Sequence, residues 1–359
     1  MLIHKSWVVF VYAITISLES IIVEYLTASS LIGISPIVLS AISITLAGVM
    51  LLVVAYVLKG KGRISILFIK SWKNLVMASL LSSFGILTLY DSINRIGASK
   101  EVLLAGPLNI VIVVLLAQLF LNERLTKFHY IGIGMSLLGF IMAVASDNNT
   151  GVSHNTEITR TVVTMVARSA MPSMAISFGD IEAILSAFGL AGGALFLTRL
   201  TPKYSSIEIA GASMFTSGLI LIGFMIITLS LYGTDHAYLQ SNEISLFKQP
   251  IIFIITVLLL FSALPFISSS SYSNGLSKIG ASLTSTIGSS SILMTIIIQL
   301  VLKEFGIASH LPGNILLAFF GGVARFLGIY LIHLPKYSVP VMNKNMLSAD
   351  NYISATQKS

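Results

Sequence analysis

The sequence predicts an all-α polytopic membrane protein, with ten transmembrane helices arranged as two inverted five-helix repeats. Three observations predict it: an apolar composition, a series of charge-free stretches and an internal repeat. Of 359 residues, 55% are hydrophobic and only 10% are charged, against roughly 25% charged in an average soluble domain. Mean hydropathy is +0.92. A soluble fold of this length could not cover its surface with so few charges, which excludes an ordinary cytosolic enzyme and a disordered chain. The chain has no cysteine, so a disulfide scaffold, thiolate metal sites and thiol catalysis are excluded too. The net charge of +7 reads as cytoplasmic loops facing anionic lipid and says nothing of nucleic acid.

The spans follow from charge-free runs, since about 20 mostly apolar residues cross hydrocarbon as a helix. Residues 25–58, 102–122, 128–146, 209–234, 249–277, 279–302 and 305–324 contain no Asp, Glu, Lys or Arg. Splitting at Gly, Pro and Ser breaks places ten helices at 7–28, 36–58, 73–94, 100–121, 128–146, 181–199, 207–231, 250–274, 280–302 and 311–334. The first carries Glu19 and Glu24 and is too long for a signal core, so it reads as a retained span. With the N-terminus inside, 14 of the 21 Lys and Arg fall on the inner side and 6 on the outer. Both termini therefore face the cytoplasm. The long outer loop 147–179 contains an amphipathic run, with Ile158, Val162, Met165, Val166 and Ala170 on one face, and reads as a helix lying in the interface or as a solvated loop helix. The tail 335–359 is polar.

The repeat is the strongest signal. Arg95-Ile96-Gly97-Ala98-Ser99 returns as Lys278-Ile279-Gly280-Ala281-Ser282, and Gln118-Leu119-Phe120-Leu121-Asn122-Glu123 returns as Gln299-Leu300-Val301-Leu302-Lys303-Glu304. A His follows each Glu by six residues, at His129 and His310. Ordered matches at near-constant offset define two units. An odd number of helices per unit turns the second copy upside down, an arrangement common among secondary transporters. The units are residues 1–146 and 180–334.

Leu89-Tyr90-Asp91-Ser92 leading to Ile96-Gly97-Ala98-Ser99, then Pro107, Leu121-Asn122-Glu123-Arg124-Leu125-Thr126, Gly132 and Gly139, resembles the EamA repeat of the drug/metabolite transporter superfamily. Gly179-Asp180-Ile181, Gly280-Ala281-Ser282, Glu304, Gly313 and Gly321 follow the same order in the second half. The second half departs in having Ser290 where the first has Pro107, and Phe305-Gly306 after Glu304. The resemblance implies a central cavity between the halves and permease activity toward small metabolites, often export. It implies a multi-pass protein of the plasma membrane, a small-molecule substrate and no cofactor, and it leaves a homodimer open.

Charges inside spans are costly and point to function. The candidates for binding substrate or proton are Glu19, Glu24, Asp91 and Arg325, with Tyr90 and Asn94 beside Asp91. Glu19 and Arg325 both fall near mid-depth, and a pair between them reads equally as a brace or as machinery. Ser79, Ser83, Tyr90 and Asn94 form one stripe, and Thr284, Gly288, Ser291, Thr295 and Gln299 another. For the Ser and Thr residues, ordinary interhelical hydrogen bonds are the simpler reading. Gly189 and Gly193, and the pairs Gly132/Gly139 and Gly321/Gly328, read as packing positions. Glu123 and Glu304 mark helix ends at opposite membrane faces, which argues against a metal site with the histidines.

The leading functional reading is a secondary transporter working by alternating access. No Walker-type loop is present for ATP drive. The alternative is an intramembrane aspartyl protease, since Tyr90-Asp91 and Gly179-Asp180 resemble the YD and GxGD pairs of those enzymes, although residue 177 is Ser. A membrane scaffold without transport is the third reading.

Overall fold

The structure, a computed structural model, describes residues 2–28, 33–121, 127–146, 177–232, 251–280, 284, 287–288, 290–305 and 314–333. The described elements are all helices: α1 (Leu2–Ala28), α2 (Pro36–Lys59), α3 (Lys61–Lys70), α4 (Trp72–Ile96), α5 (Ala98–Leu121), α6 (Lys127–Ser146), α7 (Phe178–Thr198), α8 (Ser206–Tyr232), α9 (Ile251–Ile279), α10 (Ser291–Glu304) and α11 (Ile315–His333). Among the described residues, seven helices are long and apolar enough to cross a membrane: α1, α2, α4, α5, α7, α8 and α9. Their outward faces carry exposed apolar side chains such as Leu119, Leu231 and Leu260, as lipid-facing surfaces require.

Local sequence sets the helix boundaries. Pro36 sits in the first turn of α2, where its missing N–H costs no hydrogen bond. Gly97 separates α4 from α5 with φ 82°, and Gly280 ends α9 with φ 84°; side chains with a Cβ avoid that region. These two glycines are the matched positions of the sequence repeat, and their surroundings agree as well. Gly97 N–H bonds the Ile93 carbonyl and the Gly97 carbonyl accepts from Glu101 N–H; Gly280 N–H bonds Leu276 and its carbonyl accepts from Thr284 N–H.

Helix packing is reciprocal between the two parts of the chain. The tightest neighbours are α4 with α7, α2 with α8, α6 with α11 and α1 with α9. α5 also packs on α7 and, in the matching sense but less extensively, α10 on α1. Where α4 crosses α7 the backbones touch: a Cβ placed on Gly189 would lie 2.7 Å from the Gly85 Cα. Between α4 and α8 the contact is polar, with Ser79 Oγ donating to the Ser213 carbonyl at 3.2 Å and Ser83 Oγ to the Ser217 carbonyl at 3.0 Å. The predicted Ser stripe is thus interhelical bonding. Gly132 and Gly139 of α6 and Gly321 and Gly328 of α11 are all buried, and these two helices pack on each other.

The helix placements depart from the sequence reading in a few places. The basic segment after α2, read as a loop, forms α3, which the fully buried Leu67 anchors to the core. Helix α9 runs five residues past its expected end, to the Gly280 cap. Regular helix in α10 begins at Ser291, and much of the expected stretch from 280 lies outside the described residues. So do the outer-loop helix, the tail, Glu123 and His310.

Candidate functional site

Two carboxylates of α1 enter the bundle interior. Glu19 stands near the middle of the apolar span Trp7–Thr27, and Glu24 lies one turn from its end. Both are 5% exposed. Their partners differ. Glu19 accepts hydrogen bonds from the Tyr90 hydroxyl of α4 at 2.8 Å and from Ser268 Oγ of α9 at 3.2 Å. Ser268 is three residues beyond Pro265, which sits inside α9. Tyr90 is fully buried, with its ring edge-on to Phe261 at 6.4 Å between centroids. Seven residues before Glu19 on α1, the Tyr12 ring lies 5.0 Å from that of Tyr272.

Glu24 binds main chain and amide. Its Oε2 accepts from Ala98 N–H, at the first turn of α5, at 2.9 Å, and from Gln299 Nε2 of α10 at 2.7 Å. The other atom of the Gln299 amide, Oε1, accepts from Ser99 Oγ. Glu24 therefore supplies an acceptor to a helix start that otherwise leaves its N–H groups unpaired, and it ties α1, α5 and α10 together.

A third cluster is ionic. Arg95 Nε lies 3.0 Å from Asp91 and 3.1 Å from Glu182, so one guanidinium is shared by α4 and α7. Its plane also faces the Phe178 ring at 5.1 Å. Lys100 Nζ pairs with Asp180 at 2.9 Å. Asp180 in addition closes a capping box with Ser177 at the start of α7. Asn94, the remaining predicted residue of this turn, is half-buried and makes no hydrogen bond among the described residues.

The structure thus brings Glu19 and Tyr90 into contact, a pairing the sequence reading did not make; the partner it weighed for Glu19 was Arg325. It separates them from Asp91, whose carboxylate faces Arg95, and from Glu24. The helix of Arg325, α11, packs chiefly on α6, and the Arg325 side chain lies outside the described residues; the described partners of Glu19 are two hydroxyls. Sequence reasoning overlooked three buried acids. Glu101 is 1% exposed, with Ser186 Oγ donating to it at 3.4 Å. Glu182 is part of the Arg95 cluster. Glu208, fully buried, accepts from both Ser205 N–H and Ser205 Oγ at 2.7 Å. The Ser205-to-Glu208 spacing is a legible capping signal, and so is Ser177 to Asp180, read instead as a partial protease motif.

A helical bundle with apolar outer faces and seven helices long and apolar enough to cross a membrane among the described residues belongs to a class: multi-pass membrane proteins. Residues 6–145 match the model of the EamA-like transporter family. This is a family of membrane transporters and not of enzymes. The fold is similar to that of a protein in a solved crystal structure, with a TM-score of 0.56 at 14% identity, covering 91% of this chain and 99% of that one. At that identity the likeness concerns fold alone. No curated protein matches the chain. The protease alternative gains nothing from the geometry, because Asp91 and Asp180 are engaged by different cations, Arg95 and Lys100.

Proposed function

We propose that the protein is a secondary active transporter of small organic metabolites, working by alternating access, with Glu19 binding a proton or a cationic group of the substrate. The observation that carries this reading is the surround of Glu19. A carboxylate buried at the middle of a span is held by two hydroxyls and faces no cation among the described residues. A hydroxyl both donates and accepts, so Tyr90 and Ser268 can reorient when the charge on Glu19 changes. A fixed N–H donor could not.

In this reading residues 1–146 and 180–334 are two five-helix repeats of opposite orientation. The loop 147–179 lies outside, and the tail 335–359 and the N-terminus are in the cytoplasm of a plasma-membrane protein. Reciprocal helix packing and the matched backbone at Gly97 and Gly280 support the duplication. The distribution of Lys and Arg supports the orientation. Two similar halves of opposite direction have two near-equivalent packings, each open to one side.

The test begins with a thermal-shift screen of the purified protein against amino acids, polyamines, nucleotides and cationic dyes. The most stabilising compound is then used for counterflow in proteoliposomes. Glu19→Gln lowers counterflow about ten- to a hundredfold while the protein stays folded; undiminished flux in that variant would remove Glu19 from the mechanism.

A further inference from the structure

Glu101 is a second carboxylate of the bundle interior, and the transport reading above makes no use of it. It lies in the first turn of α5 and is 1% exposed. Among the described residues its donor is Ser186 Oγ of α7 at 3.4 Å, and that hydroxyl also lies 2.8 Å from the Ala183 carbonyl. A serine has one hydrogen to give, so the nearer acceptor takes the larger share and Glu101 is weakly bonded. The cations closest to it in sequence serve other acids: Arg95 holds Asp91 and Glu182, and Lys100 holds Asp180. A carboxylate left charged inside a membrane is costly, so Glu101 calls for a proton or a cation brought from outside the chain.

Glu101 shares its space with Glu19. The bond from Ala98 N–H to Glu24 sets the level of α1 against α5. From that contact Glu19 lies five residues back along α1, about 7.5 Å, and Glu101 three residues on along α5, about 4.5 Å. Both steps lead into the bundle, because α1 ends and α5 begins beside the contact. The two acids therefore stand at nearly one depth. Helices α1 and α5 touch, and axes of neighbouring helices are about 10 Å apart. The Tyr12 hydroxyl interacts electrostatically with both Glu19 and Glu101, so the acids border one space. Tyr12 lies against Gly288 and the Tyr272 ring. These contacts are interior, yet both tyrosines are only half-buried, so their rings face room that side chains leave unfilled.

We propose that Glu19 and Glu101 together form a site for a dicationic amine, one ammonium group on each carboxylate, with the Tyr12 and Tyr272 rings beneath the carbon chain between them. The proposal rests on the reading of Glu19 as a cation-binding group and adds the substrate class. Two charge-assisted contacts of about 2.8 Å each leave a gap between the acids that about three to five methylenes bridge. The tyrosine faces attract an ammonium group as well as the chain. A monoamine leaves one of the two carboxylates without a counter-charge, so the site discriminates by the number of charges.

The probes are 1,4-diaminobutane and 1-aminobutane, titrated calorimetrically into the purified protein in lipid nanodiscs. The wild type binds the diamine about ten- to a hundredfold more tightly than the monoamine, the effect of one further charged hydrogen bond. Glu101→Gln and Glu19→Gln each bring the diamine down to the level of the monoamine. Binding of neither amine, equal affinity of the wild type for both, or a diamine preference that survives in folded Glu101→Gln would overturn the proposal. When one of these comes with Glu19→Gln still lowering counterflow of a screened compound, the dicationic site alone falls and the transport reading stands. The wild-type comparison decides by itself if Glu101→Gln does not fold.

Discussion

Glu19 and Glu24 stand five residues apart on one helix, equally withdrawn from solvent, and are held by different groups. Burial does not separate them; their partners do. Glu24 is gripped by a peptide N–H and an amide N–H, groups that only donate, and it joins three helices. Among the described residues, the hydrogen bonds to Glu19 come from hydroxyls on two other helices. N–H groups can only donate, whereas a hydroxyl can turn from donor to acceptor. The comparison teaches that a buried carboxylate in a membrane span is read for function from the reversibility of its donors, and not from its depth alone.

Substitutions at four positions break or sharpen this contrast. The largest effect is on transport by Glu19→Gln. Losing a charged partner for the transported group costs roughly 1.5–3 kcal/mol, or about ten- to a hundredfold in rate, with thermal stability near that of the wild type. Comparable flux in the two proteins would place Glu19 among the braces. Next is Glu24→Leu, which leaves Ala98 N–H and the Gln299 amide without an acceptor. It lowers stability by about 1–3 kcal/mol for each orphaned group, seen as a fall in melting temperature, whereas Glu24→Gln keeps an acceptor and most of the stability. If Glu24→Gln instead stops counterflow with folding intact, the two carboxylates share one role. Tyr90→Phe removes the shorter bond to Glu19. Transport falls by about tenfold, the equivalent of roughly 1.4 kcal/mol, while the apolar contact with Phe261 keeps the bundle assembled. Ser268→Ala is the mildest, removing one longer hydrogen bond worth about 1 kcal/mol or less, and shows as a severalfold weaker thermal shift with the screened ligand.

Most of the spans were legible because hydrocarbon imposes a length and a composition that the sequence must satisfy. The short helix α3 was not. Its Lys61, Arg63 and Lys70, with Gly60 and Gly62 at its start, resemble a cytoplasmic loop, and it is the buried Leu67 with Phe68 beside it that packs the segment on the core. Glu19 and Tyr90 were both found by the rule that charges and polar stripes within spans are costly, but their contact joins residues 71 positions apart, which no local pattern encodes. Glu101 and Glu208 escaped because acids in a first helical turn look like interfacial residues, and Glu182 because it lies just past one. Here the neighbouring helices cover them. Asp91 illustrates the opposite error: its cost was recognised, yet the cation that offsets it, Arg95, is one turn along the same helix and was read as a loop charge. The spacing was there to be seen. The pairing across to Glu182 was not.

The glycine crossing of α4 and α7 bears on how the chain is assembled. Cut between α6 and α7, the polypeptide would yield two fragments, neither of which contains the partner its most tightly packed helices require. Such fragments would have to be synthesised together in one membrane to yield a working molecule. A helix inserted early thus waits, unpartnered in lipid, for a sister that emerges from the ribosome only after the first half is complete.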